Sequence, residues 1–380
     1  MKKIKIVILS LSLMTVMSGA ATSPALGSIA EYFRDVSPIM IKLIVTIPAL
    51  FIIFTSLLFG KIVNKVTAKT IAEVGLILYV VGGCGAAFAD NIYLLLLFRM
   101  FLGIGVGLIM PLSTGLIPYF FEKNEQSELM GYSSAMNNLG GIIALGVSGI
   151  LASINWRFSF AVYLLGLLEL ILVVLFLPSV NLKKTDNRID KVSAWKVLPY
   201  IGIMFVIMVI FYTVVTNFSM IMTKESIVPT ASIGLLMLLQ NIAAFFVGMR
   251  LSTFTRRFRH YTKYVAVLML VLGFFCLGFS SNVIIIALGL VLLGIGLGVI
   301  IPLLNAQISL NIEKEKAPSA MALMSFMLYS GQFLSPMIMG LFMNILKLNN
   351  IRAPFYLSGF IAIIILICLK KVSIADNNYE

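Results

Sequence analysis

The sequence predicts an all-α membrane protein with twelve transmembrane helices in two pseudo-symmetric six-helix bundles. Three observations predict it. Apolar runs of spanning length recur along the chain, basic residues are unevenly shared between alternate loops, and one half of the sequence repeats the other.

The apolar runs come first. Of 380 residues, 60% are hydrophobic and 11% are charged. A soluble domain carries about 25% charged residues. The deficit extends along the whole chain, so this is not a soluble body with one apolar tail. Runs of spanning length lie near 6–26, 42–60, 71–89, 92–113, 129–153, 158–178, 198–221, 231–249, 264–280, 283–303, 318–345 and 353–369. Each is too long for a strand, and a segment in hydrocarbon must satisfy its own backbone, so each is read as a helix. The short alternating strands of a porin-like barrel are not visible. At the N-terminus, Lys2, Lys3 and Lys5 before an apolar stretch, then Ser18-Gly19-Ala20-Ala21, resemble a secretory signal peptide. The stretch continues through Pro24-Ala25-Leu26, and an even number of spans requires it to stay.

The basic residues give the orientation. With the N-terminus inside, 21 of the 28 Lys and Arg residues fall in cytoplasmic segments. Six fall outside: Arg34, Lys42, Arg157, Lys224, Lys347 and Arg352. One, Arg99, lies within a span. The positive-inside rule then puts both termini in the cytoplasm and the protein in the cytoplasmic membrane as a multi-pass chain. Adding or removing one span would scramble the asymmetry. The net charge of +13 is therefore read as topology, not as a nucleic-acid surface.

The repeat comes third. Residues 102–112, LGIGVGLIMPL, match residues 293–303, LGIGLGVIIPL, at eight of eleven positions with an offset of 191. The same offset pairs Gly140 with Gly331 and Gly149 with Gly340, and an offset of 188 pairs Gly60 with Gly248. The charged stretch between the halves sits near the midpoint. The expected domains are an N-terminal bundle over 1–180, a cytoplasmic linker over 181–196 and a C-terminal bundle over 197–380. Parallel repeats about an axis along the membrane normal are a transporter design, with the substrate site expected between the halves near the midplane.

The glycines have a packing reading. Gly103 and Gly107, like Gly294 and Gly298, put two missing side chains on one helix face, so another backbone can approach. A nucleotide loop would need a preceding strand and a soluble helix after it. Gly140, Gly149 and Pro336 are grouped with these as packing or hinge positions.

These features together resemble the major facilitator superfamily, over essentially the whole chain. The family's loop after span two reads G-x-x-x-D-[RK]-x-G-[RK]-[RK]; here Gly60, Lys65 and Lys69 hold, while Asn64 and Thr67 replace the Asp and the second Gly. Arg99 before Gly103, Gly105 and Gly107 matches span four. In span five the drug:proton antiporter motif is partly kept: Gly131, Gly140 and Gly149 fit, but Ala144-Leu145 replaces Gly-Pro. The residues 24–30 and Asn155-Trp156-Arg157 also resemble drug exporters. The resemblance implies a secondary transporter moving a small-molecule substrate, with a proton gradient as energy source and no cofactor. It implies a gating loop at Gly60, Asn64, Lys65 and Lys69, its lock weakened by the missing Asp or shared with Glu128.

Two ionisable side chains lie well inside spans, Arg99 and Glu169. A charge at a span centre costs about 2.5–3.5 kcal/mol on insertion scales, so each needs a partner or a wet cavity. Arg99 is expected against Ser12, Thr15, Ser18 and Thr22 of span one. It serves either proton coupling and substrate-anion binding or a structural hydrogen-bond clamp. Glu169 is a candidate proton carrier, or a packing residue, neutral or paired with Arg99. In the second half the candidate cavity residues are Tyr212, Thr216, Asn217, Asn305 and Gln332. The many Phe and Met side chains suit lipophilic substrates; a small metabolite is the alternative, and a non-transporting receptor a further one. Cys84, Cys276 and Cys368 are read as packing. With one histidine, His260, in a basic loop, there is no catalytic or metal constellation and the chain is not expected to be an enzyme. The expected partners are the lipid bilayer and the substrate, with the protein a monomer.

Overall fold

The computed structural model describes residues 2–181, 191–311 and 317–370. Among these residues fifteen α-helices follow one another: α1 Lys2–Ala20, α2 Leu26–Tyr32, α3 Pro38–Ile62, α4 Ala68–Gly85, α5 Ile92–Gly115, α6 Ile117–Phe120, α7 Lys123–Ile154, α8 Leu165–Phe176, α9 Lys191–Lys224, α10 Thr230–Met249, α11 Leu251–Phe258, α12 Thr262–Phe279, α13 Val283–Asn311, α14 Ala317–Ile345 and α15 Ala353–Cys368. No strand occurs among the described residues. Among the described residues, eleven helical segments are long and apolar enough to cross a membrane. The twelfth expected span, 353–369, is α15, whose 16 residues put it in a shorter class. At 1.5 Å per residue it reaches about 24 Å, short of a hydrocarbon core of about 30 Å.

Two expected spans are interrupted. The run 6–26 ends as a helix at Ala20, and residues 21–25 form turns before α2. Pro24 lacks an N–H and disfavours helix in the residue before it. The run 158–178 begins as a 3-10 helix, Trp156–Leu164, and becomes α-helical at Leu165. The expected linker 181–196 lies mostly outside the described residues.

Contacts group the chain into two compact units, Met1–Thr185 with Pro229–Leu235, and Asp186–Val228 with Leu236–Glu380. In the first unit α5 packs against α3 and α4, and α1 against α7. In the second, α13 packs on α12 and α14 on α9, so the pairing of α4 with α5 and of α1 with α7 recurs.

The glycines set these crossings. A Cβ on Gly103 would lie 2.5 Å from the Pro48 carbonyl oxygen of α3, and one on Gly107 2.7 Å from Thr55 Cβ. A Cβ on Gly105 would meet the Gly75 oxygen of α4 at 2.5 Å. So α5 carries glycines on two faces for two neighbours. In α13, a Cβ on Gly294 would meet the Gln240 backbone and one on Gly298 would lie 2.7 Å from the Ala244 oxygen, both on α10, while one on Gly296 would lie 2.7 Å from the Ala266 oxygen of α12. A Cβ on Gly140 of α7 would collide with the Leu13 carbonyl of α1, and one on Gly331 of α14 would lie 2.6 Å from the Phe205 oxygen of α9. Gly149 faces Gly234, near the start of α10 in the stretch Pro229–Leu235 that groups with the first unit. A Cβ on its repeat partner Gly340 would meet nothing within 4 Å beyond its own helix. Pro336 lies inside α14, where the neighbouring Ser335 hydroxyl donates to the Val209 carbonyl of α9 at 2.6 Å.

Candidate functional site

Arg99 is fully buried in α5 and reaches three acceptors. Its Nε donates to the Ile44 carbonyl, its Nη1 to the Tyr163 hydroxyl and its Nη2 to the Ser18 carbonyl, each at 2.8 Å. Both carbonyls lack a helical partner for reasons written in the sequence. Ile44 lies four residues before Pro48, which has no N–H to offer it. Ser18 lies in the last turn of α1, where carbonyls are left over. Hydrogen bonds to a charged group contribute about 1.5–3 kcal/mol each, so three of them offset the cost of placing the charge in a span. Tyr163 also donates to the Ser18 carbonyl at 2.9 Å, lies 3.3 Å from Thr22 Oγ1, and presents its ring 5.6 Å from the guanidinium.

The expected contacts with span one are met in part. Ser18 contributes its backbone, and Thr22 joins through Tyr163. Ser12 and Thr15 are turned elsewhere, to Ser133 at 2.6 Å and Asn137 at 2.8 Å. Tyr163 carried no charge to draw notice in the sequence, although a polar aromatic at that depth was a signal. Tyr79 stacks edge-on to it at 5.5 Å and keeps a buried hydroxyl without a partner.

Glu169 lies on α8, 2% exposed, with the Ser10 hydroxyl of α1 against its carboxyl group. Its Oε1 has no hydrogen-bond partner. Arg99 turns to two carbonyls and a phenol, and the expected alternative of an Arg99–Glu169 pair is not formed. The two buried ionisable groups sit in separate environments of the same unit.

The expected gating loop is built of helix ends. Asn64 Nδ2 donates to the Gly60 carbonyl at 3.0 Å, closing the last turn of α3. Lys69 Nζ reaches the Val174 carbonyl near the end of α8 at 2.7 Å, where a cation suits the helix dipole. Lys65 is exposed, and nothing lies within 4 Å of a Cβ on Gly60. The Glu128 side chain is outside the described residues. In the second unit, Thr216 donates to the Tyr212 carbonyl at 2.7 Å and Asn217 to the Thr213 carbonyl at 2.8 Å, so these α9 groups spend donors on their own helix. Asn305 and Gln332 stand half-buried on α13 and α14.

Two arginines placed outside by the charge count, Arg157 of the Asn155-Trp156-Arg157 segment and Arg352, form a repeated feature. Arg157 donates to the Ala87 carbonyl at 2.7 Å and the Ala89 carbonyl at 3.0 Å, and meets Asp90 at 3.1 Å. Arg352 donates to the carbonyls of Leu277, Gly278 and Ser280 and to Ser281 Oγ, and pairs with Glu225. Each arginine therefore collects the carbonyls at the end of one helix. Each backbone N–H is also held by an asparagine two residues earlier, Asn155 at 3.0 Å and Asn350 at 2.8 Å. The carboxylates differ. Asp90 sits beside the capped turn, whereas Glu225 comes from the end of α9.

The family profile described as Major Facilitator Superfamily matches residues 8–336 and 200–376. Among curated proteins, the chain is 25% identical over 179 residues to the riboflavin transporter RibZ of Clostridioides difficile (strain 630), covering 47% of this chain and 39% of that one. It is 29% identical over 136 residues to the quinolone resistance protein NorA of Staphylococcus aureus (strain Mu50 / ATCC 700699), covering 35% of this chain and 34% of NorA. These alignments therefore span well under half the length of the curated relatives. Among solved structures, a D-xylose–proton symporter superposes with a TM-score of 0.79 at 16% identity over 99% of both chains. A bacterial homolog of the human lysosomal transporter Spinster, inward-facing and occupied, gives 0.77 at 15% identity over 96% of this chain and 95% of that one. At such identities the likeness is one of fold.

Proposed function

We propose that this chain, which belongs to the Major Facilitator Superfamily, is a secondary active transporter working by alternating access, and that it exports drug-like or lipophilic compounds against proton entry. The observation that carries the reading is the profile match along the chain, joined to the internal repeat. The match to NorA supports the export branch, as does the partly kept span-five motif. In this reading twelve spans form two six-helix bundles, over 1–180 and 197–380, joined by the linker 181–196. Both termini are cytoplasmic, and a monomer works without a cofactor. The chain acts as a transporter, not an enzyme.

We assign proton traffic to Glu169, because it is a buried carboxyl with an oxygen left free. Arg99 contributes by holding α1, α3, α5 and the 3-10 segment of Tyr163 together. The loop Gly60–Lys69 is assigned to the cytoplasmic gate, and Tyr212, Thr216, Asn217, Asn305 and Gln332 to the substrate path.

A second reading is transport of a small metabolite, favoured by the match to RibZ. Expression in a host lacking its main exporters separates the two. Export predicts raised resistance and dye efflux that collapse when an uncoupler is added. Unchanged resistance and efflux across a broad panel, with uptake of a metabolite such as riboflavin into proteoliposomes, would replace the first reading by the second.

A further inference from the structure

The second unit carries a groove of about 560 Å³ that the transport reading does not use. One wall is Phe258 and, along the following chain into α12, Tyr261, Tyr264 and Leu268; the other includes Leu366 and Lys370 at the end of α15. The groove is lined by apolar and aromatic surface, and Lys370 is the one cation in its lining. Arg256, Arg257, Arg259 and Lys263 adjoin its wall residues Phe258, Tyr261 and Tyr264 in the sequence.

The chain that borders the Tyr261 side of the groove is short and basic. In α11, Arg256 and Arg257 are exposed, while Phe254 and Phe258 hold their rings 4.7 Å apart. Arg259 follows with φ 46°, a left-handed turn that brings the chain round into α12. The His260 and Tyr261 rings are tilted against each other with centroids 3.8 Å apart, and Lys263 lies over the Tyr264 ring at 5.2 Å. No acidic residue occurs from Ser226 to Ile312, so the positive field here has no compensating carboxylate in this stretch. A helix with basic residues and aromatic anchors beside a spanning helix suits a membrane interface. Clusters of Lys and Arg at that depth attract anionic headgroups.

The geometry points to a binding site for one anionic phospholipid, with an acyl chain between α12 and α15 and the headgroup phosphate among Arg259, Lys370 and the α11 arginines. Charge complementarity selects the occupant. A zwitterionic lipid of the same chains fills the groove equally but leaves the cations without a net counter-charge. The phosphate alone lacks the apolar half of the site. The site lies at the helix ends on the side with most of the basic loops, the leaflet where a headgroup would meet them.

The test uses purified full-length protein, stripped of lipid in detergent and titrated while bound lipid is counted by native mass spectrometry. Phosphatidylglycerol and phosphatidylcholine with identical chains are compared, with inorganic phosphate as a third arm. Wild type is expected to hold one phosphatidylglycerol roughly tenfold more tightly than phosphatidylcholine. The double variant Arg259→Gln with Lys370→Gln, both exposed positions, loses the preference while keeping its melting temperature. Leu268→Trp, which fills the apolar groove, weakens both lipids. Equal retention of the two lipids by wild type overturns the proposal, as does an undiminished preference in the charge variant. Displacement of phosphatidylglycerol by inorganic phosphate alone also overturns it, since the site would then be for free phosphate.

Discussion

Arg99 donates to the Ile44 carbonyl at 2.8 Å, the acceptor that Pro48 cannot serve because it has no N–H. The arginine thus replaces a main-chain bond that the proline removes. A carbonyl left bare in hydrocarbon costs several kcal/mol, so Pro48 and Arg99 are two parts of one arrangement.

Arg99→Ala is expected to lower stability by about 2–5 kcal/mol, read as a fall in melting temperature in detergent. Arg99→Lys restores little, because one ammonium cannot span the acceptors that a planar fork reaches. In a Pro48→Ala background Ile44 regains a helical donor, and the loss on Arg99→Ala shrinks by about 1 kcal/mol. Identical losses in both backgrounds would break the connection.

The two outer arginines respond differently to loss of their carboxylates. The Arg352 side chain is 8% exposed and Glu225 26%, whereas Arg157 is 25% exposed and Asp90 87%. Glu225→Gln should cost about 2–4 kcal/mol, since it strands a nearly buried guanidinium. Asp90→Asn should stay within about 0.5 kcal/mol. Thermal unfolding of the two variants side by side checks the order, and raised salt should affect only the Asp90 pair measurably.

Gly140→Ala and Gly331→Ala force a methyl against a neighbouring carbonyl. Each is expected to destabilise by about 1–3 kcal/mol. Gly340→Ala meets open space and should be neutral or stabilising by about 0.5–1 kcal/mol. Detergent melting curves that rank Gly340→Ala with the other two would contradict the crossings described here.

Glu169→Gln keeps shape and removes the titrating group. Substrate accumulation driven by a proton gradient in proteoliposomes is expected to fall by roughly an order of magnitude. Exchange of substrate between equal pools should persist, because it needs no net proton movement. Gradient-driven transport at the wild-type rate would end the assignment of Glu169.

The spans were legible because an apolar run of twenty residues has few other uses, and the repeat because LGIG recurs almost unchanged. Arg99 could be marked as a buried charge from its position alone. Its partners could not, because Ile44 offers only backbone and nothing local ties it to a residue 55 positions later. The break at 21–25 was hidden by hydrophobicity that continues through the turn. The Asn-x-Arg pair escaped because its two copies, at 155–157 and 350–352, are 195 apart while the glycine repeat runs at 191. Residues 251–258 read as a charged loop, and only the helix shows that their phenylalanines and arginines stand beside an apolar groove.

The crossing glycines also bear on how the chain is assembled as it is made. The slots for Gly103, Gly105 and Gly107 are offered by α3 and α4, which leave the ribosome before α5. Those for Gly294, Gly296 and Gly298 are offered by α10 and α12, again ahead of α13. Gly140 finds α1, and Gly331 finds α9, both already synthesised. In these cases the notched helix arrives after the surface it must fit. A side chain added at such a notch would therefore act early, leaving a newly inserted helix undocked in the bilayer while the rest of the protein is still being translated.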